Sequence, residues 1–232
     1  MVEEATRRGP GRPRKDQPDP QRFQEILDGA ATVFLARGYD ASSIQEVADE
    51  VGMLKGSLYH YVKTKEDFLY EIIKRAFDAA LIEVGNAVDL DGNALDRLTA
   101  FVRAHVEFTV ANFTSMSIQF RERRALSENR RREITELGDV YTGLLRSILA
   151  EGRAEKLISD SLDVSLATWT ILGQLNSLVN WFHVGGRMSV EELVQRLTGM
   201  ILASVVSDDG VKRAGSLEAV RTSGPAALRA TR

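Results

Sequence analysis

"KGSLYHYVKTKEDF", residues 55–68, sets Tyr59, His60 and Tyr61 side by side and frames them with lysines. Wound as a short helix from Lys55 to Val62 at about 100° per residue, the segment splits into two faces. Leu58, Val62 and most of the Tyr61 ring fall on one side, and Lys55, Gly56, Tyr59 and His60 on the other. The first face is apolar and turns inward. The second holds a glycine that weakens the helix, which suits a surface that something flat or bulky must approach closely.

The flanking residues give this helix a setting. Ser43 and Glu46 have capping-box spacing, and Ile44, Val47, Ala48 and Val51 follow at i, i+3, i+4 and i+7. Gly52 ends that helix. Helices over 43–51 and 55–62 joined by a short glycine-containing turn form a helix-turn-helix, whose second member enters the DNA major groove. Tyr59 and His60 offer donors to phosphates or base edges, while Lys55, Lys63 and Lys65 can neutralise phosphates. Thr64 can cap a helix opening at Lys65, whose free N–H groups also suit a phosphate. Acids outnumber bases over 16–75, so any positive surface must be local. The competing reading is a helical hairpin with a solvated face.

Farther out, Phe23, Ile26, Leu27, Ala30, Ala31 and Phe34 mark a first helix that stops at Gly38. Beyond 65–84 and the loop "VDLDGN" (88–93), helices are expected over 94–112, 114–125, 127–152, 161–184 and 189–206. That makes nine, in an all-α fold. No period-2 strand pattern occurs, and proline is absent from 21–224. Residues 1–19 and 207–232 lack periodicity and read as disordered arms.

The 232-residue chain is 44% hydrophobic and 27% charged, with a net charge of −3. This is a soluble composition with no membrane span or secretory signal. The absence of cysteine excludes disulfides and fits a reducing cytoplasm.

The stretch "FLARGYDASSIQEVADEVGMLKGSLYHYVKTKEDFLYEII" (34–73) resembles the DNA-binding domain of the tetracycline-repressor (TetR) family of bacterial regulators. The shared features are a Gly-aromatic pair after the first helix, a Ser-capped second helix, Gly-Ser-Leu-Tyr followed by an aromatic pair, and a lysine opening the fourth helix. By position the resemblance implies that Ser43, Lys55, Gly56, Ser57, Tyr59, His60, Tyr61 and Lys65 lie at DNA. Val62 stands where the family usually has phenylalanine. The resemblance also implies a DNA-binding domain over 20–64 and a ligand-binding and dimerisation domain over 65–206. The last two helices would pair two copies in a four-helix bundle.

Independent signals agree with parts of that scheme. Helix 161–184 has one apolar stripe through Val164, Ile171, Leu175, Leu178 and Phe182, and a second face with Trp169, Leu172, Asn176 and Val179. A helix apolar on two faces must be covered on both. Leu172, Asn176 and Val179, with Leu197, Met200 and Ile201 around Gly199, are therefore expected at a homodimer interface. Phe101, His105 and Phe108 share a helix face, with Met116, Phe120 and Trp169 able to meet them, which suits a hydrophobic pocket with one orienting polar group. "GPGRPRK" (9–15) resembles an AT-hook core, so Arg12 and Arg14 are expected to reach the minor groove.

Two arginine clusters, 121–124 and 130–132, read either as solvated faces paired with glutamates or as a seat for a phosphate-bearing ligand. "TWTILGQLNSLVNWFHVGGRMSVEELV" (168–194) is similar to TetR-family regulators that sense acyl-CoA. "VGMLKGS" is no phosphate loop, because its lysine precedes the second glycine. The three histidines lack metal-ligand spacing, and no catalytic constellation appears. The expectation is a dimeric, cofactor-free regulator that binds a pseudo-palindromic operator and is released by a hydrophobic effector. The rivals are an effector-independent architectural DNA-binding protein and an enzyme built on the aromatic pocket.

Overall fold

The computed structural model describes residues 19–89, 91–183 and 185–213. Arg12, Arg14 and residues 214–232 of the expected tail lie outside them. The first helix, α1 (Pro20–Arg37), starts where the Asp19 carboxylate accepts the Gln21 amide and proline occupies the first turn. It ends at Gly38, whose φ of 82° is costly for other residues. α2 (Ile44–Glu50) opens with the expected capping box of Ser43 and Glu46. It meets α1 where a Cβ on Gly29 would collide with Val51 Cγ1, so that crossing requires glycine.

α3 (Lys55–Leu58) is half the expected length, and residues 59–61 continue it as a turn. The tightening is visible in the bonds: the amides of Tyr61 and Val62 both reach the Leu58 carbonyl. α4 (Lys65–Val88) runs 24 residues, about 36 Å at 1.5 Å per residue. Its Thr64–Asp67 capping box fixes the start.

The remainder is α5 (Ala94–Ala111), α6 (Phe113–Glu122) with a 3-10 turn at Arg123–Ala125, and α7 (Glu128–Ala154). Next come α8 (Val164–Asn176), α9 (Leu178–Trp181), α10 (Val190–Val205) and α11 (Asp208–Arg213). The described residues thus hold eleven α-helices rather than nine. One extra arises because 161–184 opens with a loop and is interrupted at Ser177, whose hydroxyl donates to the Gln174 carbonyl. The other, α11, lies inside the expected tail. It docks without an apolar repeat, through Ser207 N–H to the Leu157 carbonyl and Ser207 Oγ–H to the Lys156 carbonyl.

Two apolar cores divide α4 between them. Phe68, Leu69, Ile72 and Ile73 pack with α1–α3, while Ala80 and Val84 belong to the core around α5. The break drawn after residue 64 therefore falls inside one core. That N-terminal core also takes Ile118 of α6, Leu126 from the bend before α7, and Ile134 of α7. α5 packs against α4, α7 and α10 and is the centre of the larger core. No described helix is long and apolar enough to cross a membrane.

Candidate functional site

The outer face of the helix-turn-helix matches the sequence reading in outline. Leu58 and Val62 are buried, while Lys55, Gly56, Tyr59, His60 and Lys63 are exposed. Ser57 is half-buried. Tyr61 stacks on Phe23 with ring centroids 5.8 Å apart, so its ring holds α3 to α1 as expected. A Cβ on Gly56 would find no neighbour within 4 Å. The fold itself therefore makes no demand for glycine there. Leu54, the residue before α3, is 81% exposed and was not foreseen. An isolated leucine at a helix start carries no periodic signal.

Two residues expected at DNA are engaged elsewhere. The Ser43 hydroxyl is spent on the cap, accepting from the Glu46 amide and donating to its carboxylate. Lys65 Nζ donates to the carbonyls of Tyr39 (2.7 Å), Ser42 (2.9 Å) and Asp40 (3.3 Å) and lies 4.3 Å from the centre of the Tyr39 ring. An ammonium has three donors, and all three are used inside the chain. Lys65 fastens the loop before α2 to the start of α4.

In the C-terminal half a cavity of about 320 Å³ opens between α4, α5, α6, α7 and α8. Its walls include His105, Phe108, Met116, Phe120 and Trp169, five of the six residues expected at a pocket. Phe101 is buried behind them, its ring 5.6 Å from that of Tyr141 and 6.1 Å from that of His105. Phe120 and Trp169 remain 41% and 58% exposed, while His105 is 3% exposed. The cavity therefore runs from an open aromatic rim to a deep polar point. His105 Nδ1 lies 2.8 Å from the Tyr141 hydroxyl. Burial pushes the His105 pKa down to about 4 and the Tyr141 pKa up.

Tyr141, Thr109 and Gln119 also line the cavity and were missed. The apolar repeat of α7 through Ile134, Tyr141 and Leu145 was the available signal for Tyr141. Among the described residues no cluster of three or more His, Asp or Glu side chains could hold a metal.

The expected dimer residues are placed differently. Leu172, Val179, Leu197 and Ile201 are buried in their own chain, and Leu172 and Asn176 line the cavity. Of the six only Met200 is largely exposed, at 61%. The outward stripe of α8 and α9 is instead Leu166, Trp169, Thr170, Gly173 and Trp181. The outward face lies about a third of a turn from the Leu172, Asn176 and Val179 face expected from the sequence.

The arginine clusters separate as well. Arg130 pairs with Asp67 and, at 3.6 Å, with Glu66 on α4, and its guanidinium sits 5.0 Å from the Tyr70 ring. Burial disfavours an ionised Asp67, but Arg130 and the amides of Thr64 and Lys63 outweigh it and hold the carboxyl below its usual range. The Ser127 amide donates to Glu66 at 2.8 Å. Arg123 alone among these arginines lines the cavity.

Comparison with known proteins now decides the family. The family model "Bacterial regulatory proteins, tetR family" matches residues 26–72, and "Tetracyclin repressor-like, C-terminal domain" matches 91–205. The chain belongs to the TetR family. It is 29% identical to the HTH-type transcriptional repressor KstR2 of Mycolicibacterium smegmatis over 83% of this chain and 95% of that one. It is similar to the crystal structure of the TetR-family regulator PfmR from Thermus thermophilus, with a TM-score of 0.72 and 30% identity over 76% of this chain and 96% of that one. The structure of AibR in complex with isovaleryl coenzyme A and operator DNA aligns with a TM-score of 0.70 and 26% identity, over 78% and 96% of the two chains. As a TetR-family protein it is a DNA-binding transcriptional regulator, with the helix-turn-helix at its N-terminal end.

Proposed function

We propose that this TetR-family regulator is a homodimeric repressor that grips a pseudo-palindromic operator and releases it when an acyl thioester enters the cavity. The observation that carries the reading is the double attachment of α6. Met116, Gln119 and Phe120 face the cavity, and Arg123 follows at the adjoining turn. Two residues after Phe120, Glu122 accepts the Tyr39 amide at the start of the loop before α2. A body that fills the cavity therefore bears on the helix that also holds the DNA-binding half.

Exposed Lys55, Tyr59 and His60 would contact phosphates and base edges. The exposed Leu166 and Trp169 of α8, Trp181 of α9 and Met200 of α10 would meet a second copy. An acyl chain would lie among Phe108, Met116 and Trp169, with Arg123 beside the phosphates of the carrier. The relatives support this choice, since AibR is solved with an acyl coenzyme A and operator DNA, and KstR2 is a repressor. An architectural protein without an effector has no use for a cavity built this way.

The test is selection of bound sites from a random duplex library, followed by titration of the complex with octanoyl-CoA. The reading requires a two-fold related site and release of the DNA. A half-site bound by a monomer, or a complex indifferent to acyl thioesters, contradicts it.

A further inference from the structure

The residue that opens α3 runs against folding in two ways. Leu54 is the N-cap of that helix, with φ −71° and ψ 138°, and makes no side-chain capping bond. Serine, threonine, aspartate and asparagine are preferred at this position. Six other helices of the chain follow that rule, through Asp19, Ser43, Thr64, Asn93, Asp163 and Ser189. Leu54 is also 81% exposed, more than any other large apolar side chain among the described residues. Burial therefore does not offset the missing cap. The fold gains neither from leucine here.

The surroundings indicate what does gain. Lys55 and Gly56 follow Leu54, Tyr59 and His60 lie a turn further on, and all four are exposed. Open space stands where a Gly56 side chain would be, so a bulky body can come close to the backbone there. Leu54 is presented on fixed backbone. The Met53 amide before it donates to the Ala48 carbonyl at 2.8 Å, and the Leu54 carbonyl accepts the Ser57 amide at 2.8 Å. In a helix-turn-helix the first residues of the second helix are the ones that reach base edges. The major groove offers a leucine one apolar partner, the C5 methyl of thymine. Against any hydrogen-bonding edge the same side chain would displace water and replace none of its bonds.

We propose that Leu54 is a specificity-determining residue that packs on a thymine C5 methyl in the operator, so that the bound site must carry thymine at that position. This rests on the reading of the exposed face of α3 as the DNA-recognition surface. It adds the base that this face selects, and it is independent of the cavity and its effector.

The experiment uses the full chain and the site selected from a random duplex library. Each thymine of that site is replaced in turn by 2′-deoxyuridine, which pairs as thymine does and lacks only the methyl. Titrations by fluorescence anisotropy at fixed salt should show a roughly threefold to fivefold loss of affinity at a particular thymine, the size expected for one buried methyl. Leu54→Ser should bind the thymine duplex more weakly by a similar factor and should no longer distinguish it from the deoxyuridine duplex. Its urea unfolding should be at least as stable as wild type, because serine restores the cap. Leu54→Ala should lose the same discrimination, and it decides the matter should the serine variant fail to fold. A site without thymine, or a methyl dependence that survives in the variants, overturns the proposal. A preferred site whose deoxyuridine duplexes all bind like the parent removes this proposal alone, whereas a chain with no preferred site removes it together with the reading of α3.

Discussion

Glu122 Oε1 accepts the backbone N–H of Tyr39 at 3.3 Å, joining positions 83 residues apart. The carbonyl of the same Tyr39 is held by Lys65 Nζ at 2.7 Å. The loop that leads into α2 is thus tied on one side to α6, which walls the cavity, and on the other to the start of α4. Its position depends on both.

Glu122→Ala removes the first tie. With no ligand the variant should bind operator within about threefold of wild type, since the recognition face is untouched. Coupling between sites is commonly about 1–3 kcal/mol, so the variant should lose roughly fivefold or more of the weakening that octanoyl-CoA imposes. Operator titrations by fluorescence anisotropy, with and without saturating thioester, check this. Full coupling in the variant would remove Glu122 from the route.

Lys65 and Lys55 should behave as opposites. Lys65→Met deletes charged hydrogen bonds to three carbonyls, at a cost of about 2 kcal/mol in urea unfolding, and leaves the slope of log K against log salt unchanged. Lys55→Ala should be within about 0.5 kcal/mol of wild type in stability and should reduce that slope by about one unit. A reduced slope for Lys65→Met would return Lys65 to the phosphates.

Gly56→Ala separates folding from recognition. With nothing within 4 Å of the added methyl, the substitution should stabilise the protein by up to about 1 kcal/mol. The same methyl stands on the face proposed to meet DNA, so operator affinity should fall by about tenfold. Stabilisation with unchanged affinity would place Gly56 away from the duplex.

The sequence was most legible where local chemistry decides conformation. The capping box at Ser43, the cap at Thr64, the stop at Gly38 and the inward face of Leu58 and Val62 depend on near neighbours and can be read directly. Lys65 could not, because its three carbonyls come from a loop 23 to 26 residues earlier. Leu172, Val179, Leu197 and Ile201 look like interface in the sequence because periodicity shows that a helix has two apolar faces without saying which is covered by its own chain. The cavity's aromatic wall was visible as a stripe. Tyr141 was not, since only the tertiary meeting of α5 and α7 gives it the imidazole as partner.

Acid should reveal the buried histidine. His105 has a pKa of about 4 in the folded chain, against an ordinary value of 6.5. Above pH 6.5 both folded and unfolded chains leave it neutral, and its contribution is constant. As pH falls from 6.5 towards 4, the unfolded chain takes up a proton that the folded chain refuses, and stability drops by roughly 3 kcal/mol in total. Urea unfolding at pH 7 and pH 4.5 should show a larger loss for wild type than for His105→Phe. Equal losses would mean that His105 is protonated in the fold.

The most direct test of the account is reciprocal linkage between cavity and operator. The operator Kd is measured with and without saturating octanoyl-CoA, and the octanoyl-CoA Kd with and without saturating operator. Both constants should rise by the same factor, roughly 5–150-fold, and Tyr59→Ala should weaken operator binding while leaving the thioester Kd of the free protein unchanged. An operator affinity that saturating thioester does not alter would contradict the account.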